Sequence, residues 1–520
     1  MGPVVWVVAC RPGDEAPVPG RAPQVVGEVT LSTTIEAPLS RRLVLATDVP
    51  TTLTLTLTSE IGVFDVTFPG TRSAWDVPVL GLPPGAETVV EVHLADALGR
   101  EAEIDPLSIV TVPMAPSFPS IEALAHDIDR AEPGWWLASI ELDGGGWLVA
   151  IDPVSLTFGW AYFGYDFGDA RRLSGGTFVG LAREAVEIDV YGETRTRWGI
   201  PETPADEMVL VPFRPLHHEL FPLTDQTFVS FTGGSFTSPS YPVSYDDPTP
   251  AGSAKVADDR VVSFDRDGTV EFDWSLAERL DPSRIGYDSL NLLGQGYDWT
   301  HANAVIPRGD GFLVSVRHQD AMVMLDRDGE VQWILGDPAG WSAPFADLLL
   351  SPVGPLTWQY HQHGPSIAED GTIVVFDNHN WGATPYTPLP TEPVHSRVVA
   401  FRVDDAARTV EQVWEWAPAV PMWVDAMGNA QVLPETGHVF ADFASVGAEG
   451  DLTNEAAGRG NRSIRLIEFD PAMIEGGSAP APIVDLRLST DRSTAEFGVT
   501  AYRATVIPSL YPPDVTVVRR

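Results

Sequence analysis

Cysteine is almost missing from this chain: 520 residues contain one, Cys10. No disulfide can close within it, and no cluster of thiolates can hold a metal. Positive charge is scarce too, with 32 Lys and Arg against 72 Asp and Glu and a formal net charge of -40. Double-stranded nucleic acid and anionic membrane surfaces are recognised through clustered Lys and Arg, so neither is an expected partner. No apolar run reaches the roughly 18 residues that a membrane-crossing helix needs. A Gly-rich phosphate loop opening a helix is absent, as are the long amphipathic helical patterns that a TIM barrel places between its strands. Hydrophobic residues make up 44% and aromatics 9%, enough for a large core. The length then suggests one small unit and one large one.

The lone Cys10 ends the phrase Val7-Val8-Ala9-Cys10, which resembles the lipobox of bacterial lipoproteins. Residues 1–24 read as a shortened lipoprotein signal and tether, the stretch after Cys10 being rich in Pro and Gly. A lipid on Cys10 is the only expected membrane attachment, and the expected location is extracytoplasmic, periplasmic or at the cell surface.

From about Val25 apolar and polar residues alternate, as in Thr51-Thr52-Leu53-Thr54-Leu55-Thr56-Leu57-Thr58, the period of half-buried strands. Turn residues at Pro50, Pro69-Gly70 and Pro83-Pro84-Gly85 interrupt the pattern. Residues 25–115 are therefore expected to form a small immunoglobulin-like or fibronectin-like β-sandwich. Over 120–520 a phrase recurs in which an acidic turn is followed by a strand ending in Trp: Asp265-Arg266-Asp267-Gly268 with Trp274, Asp326-Arg327-Asp328-Gly329 with Trp333, and weaker copies with Trp160, Trp198, Trp414 and Trp416. Trp414 and Trp416 share one copy, a sixth begins at Ile467-Glu468-Phe469-Asp470 without a tryptophan, and six copies fit the blades of an all-β, six-bladed β-propeller. The Asp-x-Asp-Gly turns lack the further ligands of a calcium loop.

Propellers bind ligands at one end of the central channel, before the innermost strand of each blade. Six of the eleven histidines, His301, His318, His361, His363, His379 and His395, fall in that part of the sequence. His301 and His363 occupy comparable places in successive blades, and His217-His218 precede a similar strand. Trp299, Trp358 and Trp381 flank these histidines and could stack on an aromatic ring.

The segments Asp298-Trp299-Thr300-His301-Ala302-Asn303, Val314-Ser315-Val316-Arg317-His318-Gln319-Asp320, Gln362-His363, Val375-Phe376-Asp377-Asn378 and His395-Ser396-Arg397-Val398-Val399 follow the order and approximate spacing of the bacterial arylsulfate sulfotransferases. Tyr502-Arg503-Ala504 and Ile507-Pro508-Ser509-Leu510-Tyr511-Pro512 look like that family's closing segment. The resemblance implies a six-bladed propeller behind an N-terminal β-sandwich. It also implies ping-pong transfer of a sulfuryl group from a phenolic sulfate donor to a phenolic acceptor, without cofactor or metal. On that likeness His363 and His301 are the expected catalytic residues, and Arg317, His318, Asn378, His379, Arg397 and Trp299 the expected substrate-binding ones. Two departures stand out. No arginine follows Phe376-Asp377-Asn378 before Arg397, and the segment corresponding to the family's sulfate-accepting histidine reads Asp425-Ala426-Met427-Gly428-Asn429-Ala430. His301, His363 and His379 remain alternatives for the nucleophile, and a non-catalytic propeller that binds an aromatic ligand or a protein partner remains the alternative function.

Overall fold

The computed structural model describes residues 6–8, 21–142, 145–164, 167–181, 184–202, 207–213, 215–447, 462–474, 480–491 and 498–520. Cys10 and most of its tether lie outside the described residues. The described chain is all-β, its strands joined by loops and three short 3₁₀ turns. Among the described residues no helix is long and apolar enough to cross a membrane.

The N-terminal unit is built on a hairpin of two long strands, Arg41–Ser59 and Gly62–Val79. Leu53, Leu55 and Leu57 are buried while Thr52 and Thr58 face solvent, as the alternation requires. Bulges between Ala46, Thr51 and Leu53 bend the first strand, so that its two halves take different neighbours. The seven strands consequently form one hydrogen-bonded sheet, where sequence had suggested two separate layers. Its last member, Thr516–Arg519, pairs with Phe64 to Thr67. The end of the chain thus returns to the unit expected to stop at residue 115.

Six further sheets follow. Among the described residues each but the last has one edge strand lying against the corresponding strand of the next sheet. In chain order these edge strands are β1 (Ala170–Arg172), β2 (Leu216–Pro222), β3 (Ala302–Arg308), β4 (His363–Ile367), β5 (Asn429–Val432) and β6 (Thr500–Ile507). Two sheets combine distant parts of the chain: β6 pairs with Trp135–Leu142, and Ser120–His126 pairs with Val484–Ser489. Arg503 of β6 reaches Asp169, immediately before β1, and Glu219 of β2, which closes the succession of edge strands.

The Trp and acidic-turn phrases turn out to be two halves of one contact. Asp265 and Asp326 each accept backbone N–H groups two and four residues on, which shapes the turn. The tryptophan of one sheet then reaches the turn of the next: Trp160 Nε1 donates to Val190 O, Trp198 Nε1 to Arg266 O, Trp333 Nε1 to Asp405 Oδ1 and Trp416 Nε1 to Pro480 O, at 2.7–3.0 Å. Trp274 makes the same step by packing, since a Cβ on Gly329 would lie 2.6 Å from its ring. In the fifth sheet-to-sheet step Trp416 takes this role, while Trp414 is only half-buried.

Gly329 (φ +81) and Gly371 (φ +85) share the left-handed conformation, but only Gly329 faces a neighbour within 4 Å. Alanine costs about 1–2 kcal/mol at either from backbone strain. Overpacking against Trp274 adds about 1–3 kcal/mol at Gly329. Chemical denaturation should therefore show Gly329→Ala markedly less stable than Gly371→Ala.

Candidate active site

One end of the succession of edge strands is organised by buried carboxylates. Asp169 Oδ2 accepts the Leu220 N–H, Asp259 Oδ2 accepts Thr300 Oγ1–H and the Ala302 N–H, and Asp320 Oδ1 accepts the His361 N–H. Asp259 and Asp320 thus each fix, from one sheet, the turn leading into the edge strand of the next, while Asp169 holds the bulged backbone within β2. The held segments carry His218 (φ 63), His301 (φ 45) and His361 (φ 54), and Met427 (φ 69) stands before β5; all four are non-glycine residues in the left-handed region. Such backbone is costly, and it concentrates where a side chain must be aimed.

The turns bring five imidazoles into a row. His217 Nδ1 lies 2.7 Å from His218 Nδ1, and His218 Nε2 lies 3.2 Å from His301 Nε2. His301 stacks on His318 at 4.5 Å between centroids, and His318 approaches His361 at 5.7 Å. Asp298 Oδ2 accepts from His301 Nδ1 at 2.6 Å, and its main-chain carbonyl accepts from His318 Nδ1 at 2.6 Å. His363 donates from Nδ1 to Asn378 Oδ1 at 2.6 Å, and its Nε2 accepts the Met427 N–H at 3.2 Å.

Charge is distributed unevenly along the row. Burial, together with neighbouring His301 and Arg317, pushes His318 well below the ordinary histidine range, and burial and Arg317 do the same to His363. Burial and Arg317 also oppose a charge on His361, but Asp320 at 2.8 Å and Asp288 at 3.4 Å outweigh them and raise its pKa. Asp288 is held down to about 2 in spite of its burial, by His361 and Arg317. Behind β2, burial and Asp169 lift Glu219 to about 7, with Arg503 opposing. Several buried polar atoms in this region have no partner, among them Arg317 Nε, His361 Nε2, Gln362 Oε1, Asn380 Oδ1 and Tyr502 Oη. Atoms of that kind are normally satisfied by water or a ligand.

Two sets of side chains have metal-ligand spacing, Asp288 with His318 and His361, and Asp298 with His301 and His318. His318 is common to both. It donates from Nδ1 to a carbonyl and accepts Arg317 Nη1 on Nε2 at 2.5 Å, so it has no lone pair to offer. With a guanidinium in this position the sets fit an anion better than a cation.

The arylsulfotransferase (ASST) family model matches residues 162–476, more than half of the chain. The chain belongs to the arylsulfotransferase family. Two curated relatives are both arylsulfate sulfotransferases AssT. That of Escherichia coli O6:H1 is 30% identical over 207 residues, and that of Lelliottia amnigena 28% over 207 residues; each match covers 30% of this chain and 34% of the relative. The chain therefore matches about a third of the length of these relatives. Among solved structures, a functionally unknown protein from Desulfotomaculum acetoxidans matches at a TM-score of 0.33 and 14% identity, over 71% of this chain and 99% of that one. A streptogramin B lyase matches at 0.31 and 11%, over 72% and 99%. Likenesses this distant carry no argument about fold or chemistry.

Of the residues expected to form the arylsulfotransferase site, His301, Arg317, His318 and His363 are brought together. Asn378 lies behind His363, its amide donating to Val424 O and Met427 O, so it orients that imidazole and faces no ligand. Trp299, expected beside the substrate, is fully buried in the core with its N–H on Arg284 O. Arg397 is likewise turned away: Asp377, Glu415 and the carbonyls of Thr357 and Trp358 take up its guanidinium. His379 pairs with Asp377 and packs on Tyr360, apart from the row of imidazoles. Trp358 packs into a hydrophobic cluster between sheets. Trp381 stacks on Tyr287 at 4.7 Å, next to Asp288. Asp259, Asp288, Asp320 and Arg503 escaped sequence reasoning because their partners are distant in the chain; only the neighbouring Asp298 carried a local signal.

His218, His318 and His363 are held neutral in the fold, whereas in the unfolded chain they titrate near about 6.5. Acid therefore favours the unfolded state, and the stability they contribute is present above that value and lost below it. Urea midpoints should fall between about pH 7.5 and 5.5, with a slope shallower in His363→Gln by up to about 1.4 kcal/mol per pH unit.

Proposed function

We propose that the six sheets are the blades of a β-propeller, with residues 25–115 as a sandwich-like unit in front of it. At one end of its axis, the protein transfers a sulfuryl group from a phenolic sulfate to a phenol through His363. Family membership supports sulfuryl transfer, and the fixed state of His363 is the observation that carries the assignment. Its Nδ1–H is committed to Asn378, which leaves the lone pair on Nε2, and it is kept neutral and thus nucleophilic near neutral pH. To attack sulfur, Nε2 gives up the long bond from the Met427 N–H, at a cost of about 1 kcal/mol.

Arg317 Nε–H is a donor without an acceptor, suited to hold a sulfuryl oxygen as negative charge develops, and His361, its pKa raised and its Nε2 3.4 Å from Asp288, favours the same anion. His301, paired with Asp298 and with 29% of its side chain accessible, is the acid for the departing phenolate and the base for the incoming phenol. The stacked Tyr287 and Trp381 provide an aromatic wall for the phenolic ring.

Release of 4-nitrophenol from 4-nitrophenyl sulfate, with and without phenol, tests this together with the intact mass of protein quenched at high pH. The expected result is acceptor-dependent release and a mass gain of one sulfuryl group. His363→Ala should abolish both, and His301→Ala should slow transfer about 10²–10⁴-fold, with thermal unfolding retained. Absence of release over a range of donors and acceptors would overturn the reading in favour of a binding propeller, in which the Met427 N–H permanently caps His363.

A further inference from the structure

Arg317 stands among carboxylates. Asp288, Asp298, Asp320 and Asp425 all bear on its charge, and three of them have a further cationic partner: Asp298 lies 2.6 Å from His301, Asp320 2.8 Å from His361 and Asp425 3.7 Å from Arg462. Asp288 is placed differently. Its Oδ2 lies 3.4 Å from Arg317 Nη1 and 3.4 Å from His361 Nε2, so one carboxylate oxygen faces both groups that favour an anion, and 29% of its side chain remains accessible. Burial opposes its charge, yet His361 and Arg317 keep it ionised.

The segment that carries Asp288 is firmly built. It follows Val270–Ser275 in the sheet of β2 and presses on the main chain of His318 beside the sheet of β3, where a Cβ on Gly286 would come within 1.9 Å of His318 O. Ser289 Oγ accepts the Gly286 N–H at 3.1 Å and donates to Trp299 O at 3.1 Å. The Leu290 N–H donates to Tyr245 Oη at 2.9 Å, and the Asn291 N–H to Asp288 O at 2.9 Å. Asp288 itself takes φ +67, a left-handed backbone that Asp and Asn tolerate better than most side chains. Its neighbour Tyr287 stacks on Trp381, so a donor whose ring lies on that wall brings its tetrahedral group towards Asp288 and Arg317.

We infer that Asp288 is a charge filter, a specificity-determining residue that admits tetrahedral esters with one negative charge and rejects those with two. The inference rests on the sulfuryl-transfer reading above and narrows its donors to sulfate monoesters, against phosphate monoesters of the same shape. A sulfuryl oxygen on Arg317 Nε–H sits on the guanidinium whose other end meets Asp288, so the ester's charge lies within about 9 Å of the carboxylate. At an effective dielectric of about 20, each negative charge at that distance is bound more than about tenfold less tightly because of Asp288. Arg317, His301, His361 and Arg462 can at most match the four carboxylates around them. No surplus of positive charge is left to offset the loss of water from a second negative charge. Inorganic sulfate, also a dianion, is rejected by the same means and does not compete with the donor.

The test measures binding by calorimetry in the full-length protein, at about pH 7.5 and fixed ionic strength. Its two ligands are 4-nitrophenyl phosphate, a dianion, and 4-nitrophenyl methylphosphonate, a monoanion of nearly the same shape. The unaltered protein is expected to bind the methylphosphonate at least about tenfold more tightly. In Asp288→Asn, which keeps the size of the side chain and suits the left-handed backbone, that preference should fall at least about tenfold. Equal affinity for the two ligands in the unaltered protein overturns the filter without any variant. A preference unchanged in Asp288→Asn, with both affinities shifting alike, overturns it as well and leaves Asp288 as a support for Arg317. Transfer from 4-nitrophenyl sulfate is assayed alongside. If transfer fails while the preference is present and depends on Asp288, the transfer reading falls and the filter stands as the selectivity of a binding site; if neither ligand binds, the filter falls too.

Discussion

The hydrogen bond from a buried carboxylate in one sheet to the main chain of the next is the constraint on which the site depends. Asp169, Asp259 and Asp320 each reach across a sheet boundary to a turn or bulge that their own sheet does not contain. A carboxylate enclosed in protein must be satisfied by donors, and amide N–H groups of a tight turn supply them. The turn in return is locked in a backbone state that a histidine would otherwise avoid. Side-chain direction and sheet packing are thus settled by the same bonds, which leaves little room for the imidazoles to drift independently.

On the proposed reading, this arrangement is also what would let a chain with a net charge of -40 hold an anion. The general field repels sulfate esters, so attraction has to be local and shielded from water. Arg317 is buried and lies 3.4 Å from Asp288, while Asp320 and Asp288 raise the pKa of His361 against burial and Arg317. Towards a singly charged ester, the acidic residues nearest the site therefore act less as repulsive groups than as support for its cations. Arg503, by contrast, is consumed by Glu219, Asp169 and the carbonyl of Asn303, and serves the joint between sheets.

What could be read from the sequence was what lies close in the chain. The acidic turns and the tryptophans recur locally, so Asp265 with Gly268 and the position of Trp333 announced repeating sheets. They did not announce that each tryptophan would reach the following turn. Asp298 and His301 stand three residues apart, and their pairing was within reach of inspection. The partner of His361 is 41 residues away and those of Arg503 as many as 334, distances across which no local pattern extends. Proximity also misled: Trp299 adjoins His301, yet the turn between them sends its indole into the core, and Arg397 follows His395 but points into the packing of its own sheet.

Because β6 pairs with Trp135–Leu142, the sheet that they share cannot be completed until a segment more than 350 residues further along has been made. A ribosome has to pass residue 507 before the strand carrying Arg503 is available. Until then the sheet built on Trp135–Leu142 presents an open apolar edge to the cell. The same late segment supplies Thr516–Arg519 to the N-terminal sheet, so one short tail finishes both units together. A chain cut short before β6 would then emerge without Arg503 and with two unfinished sheets for a protease or chaperone to find.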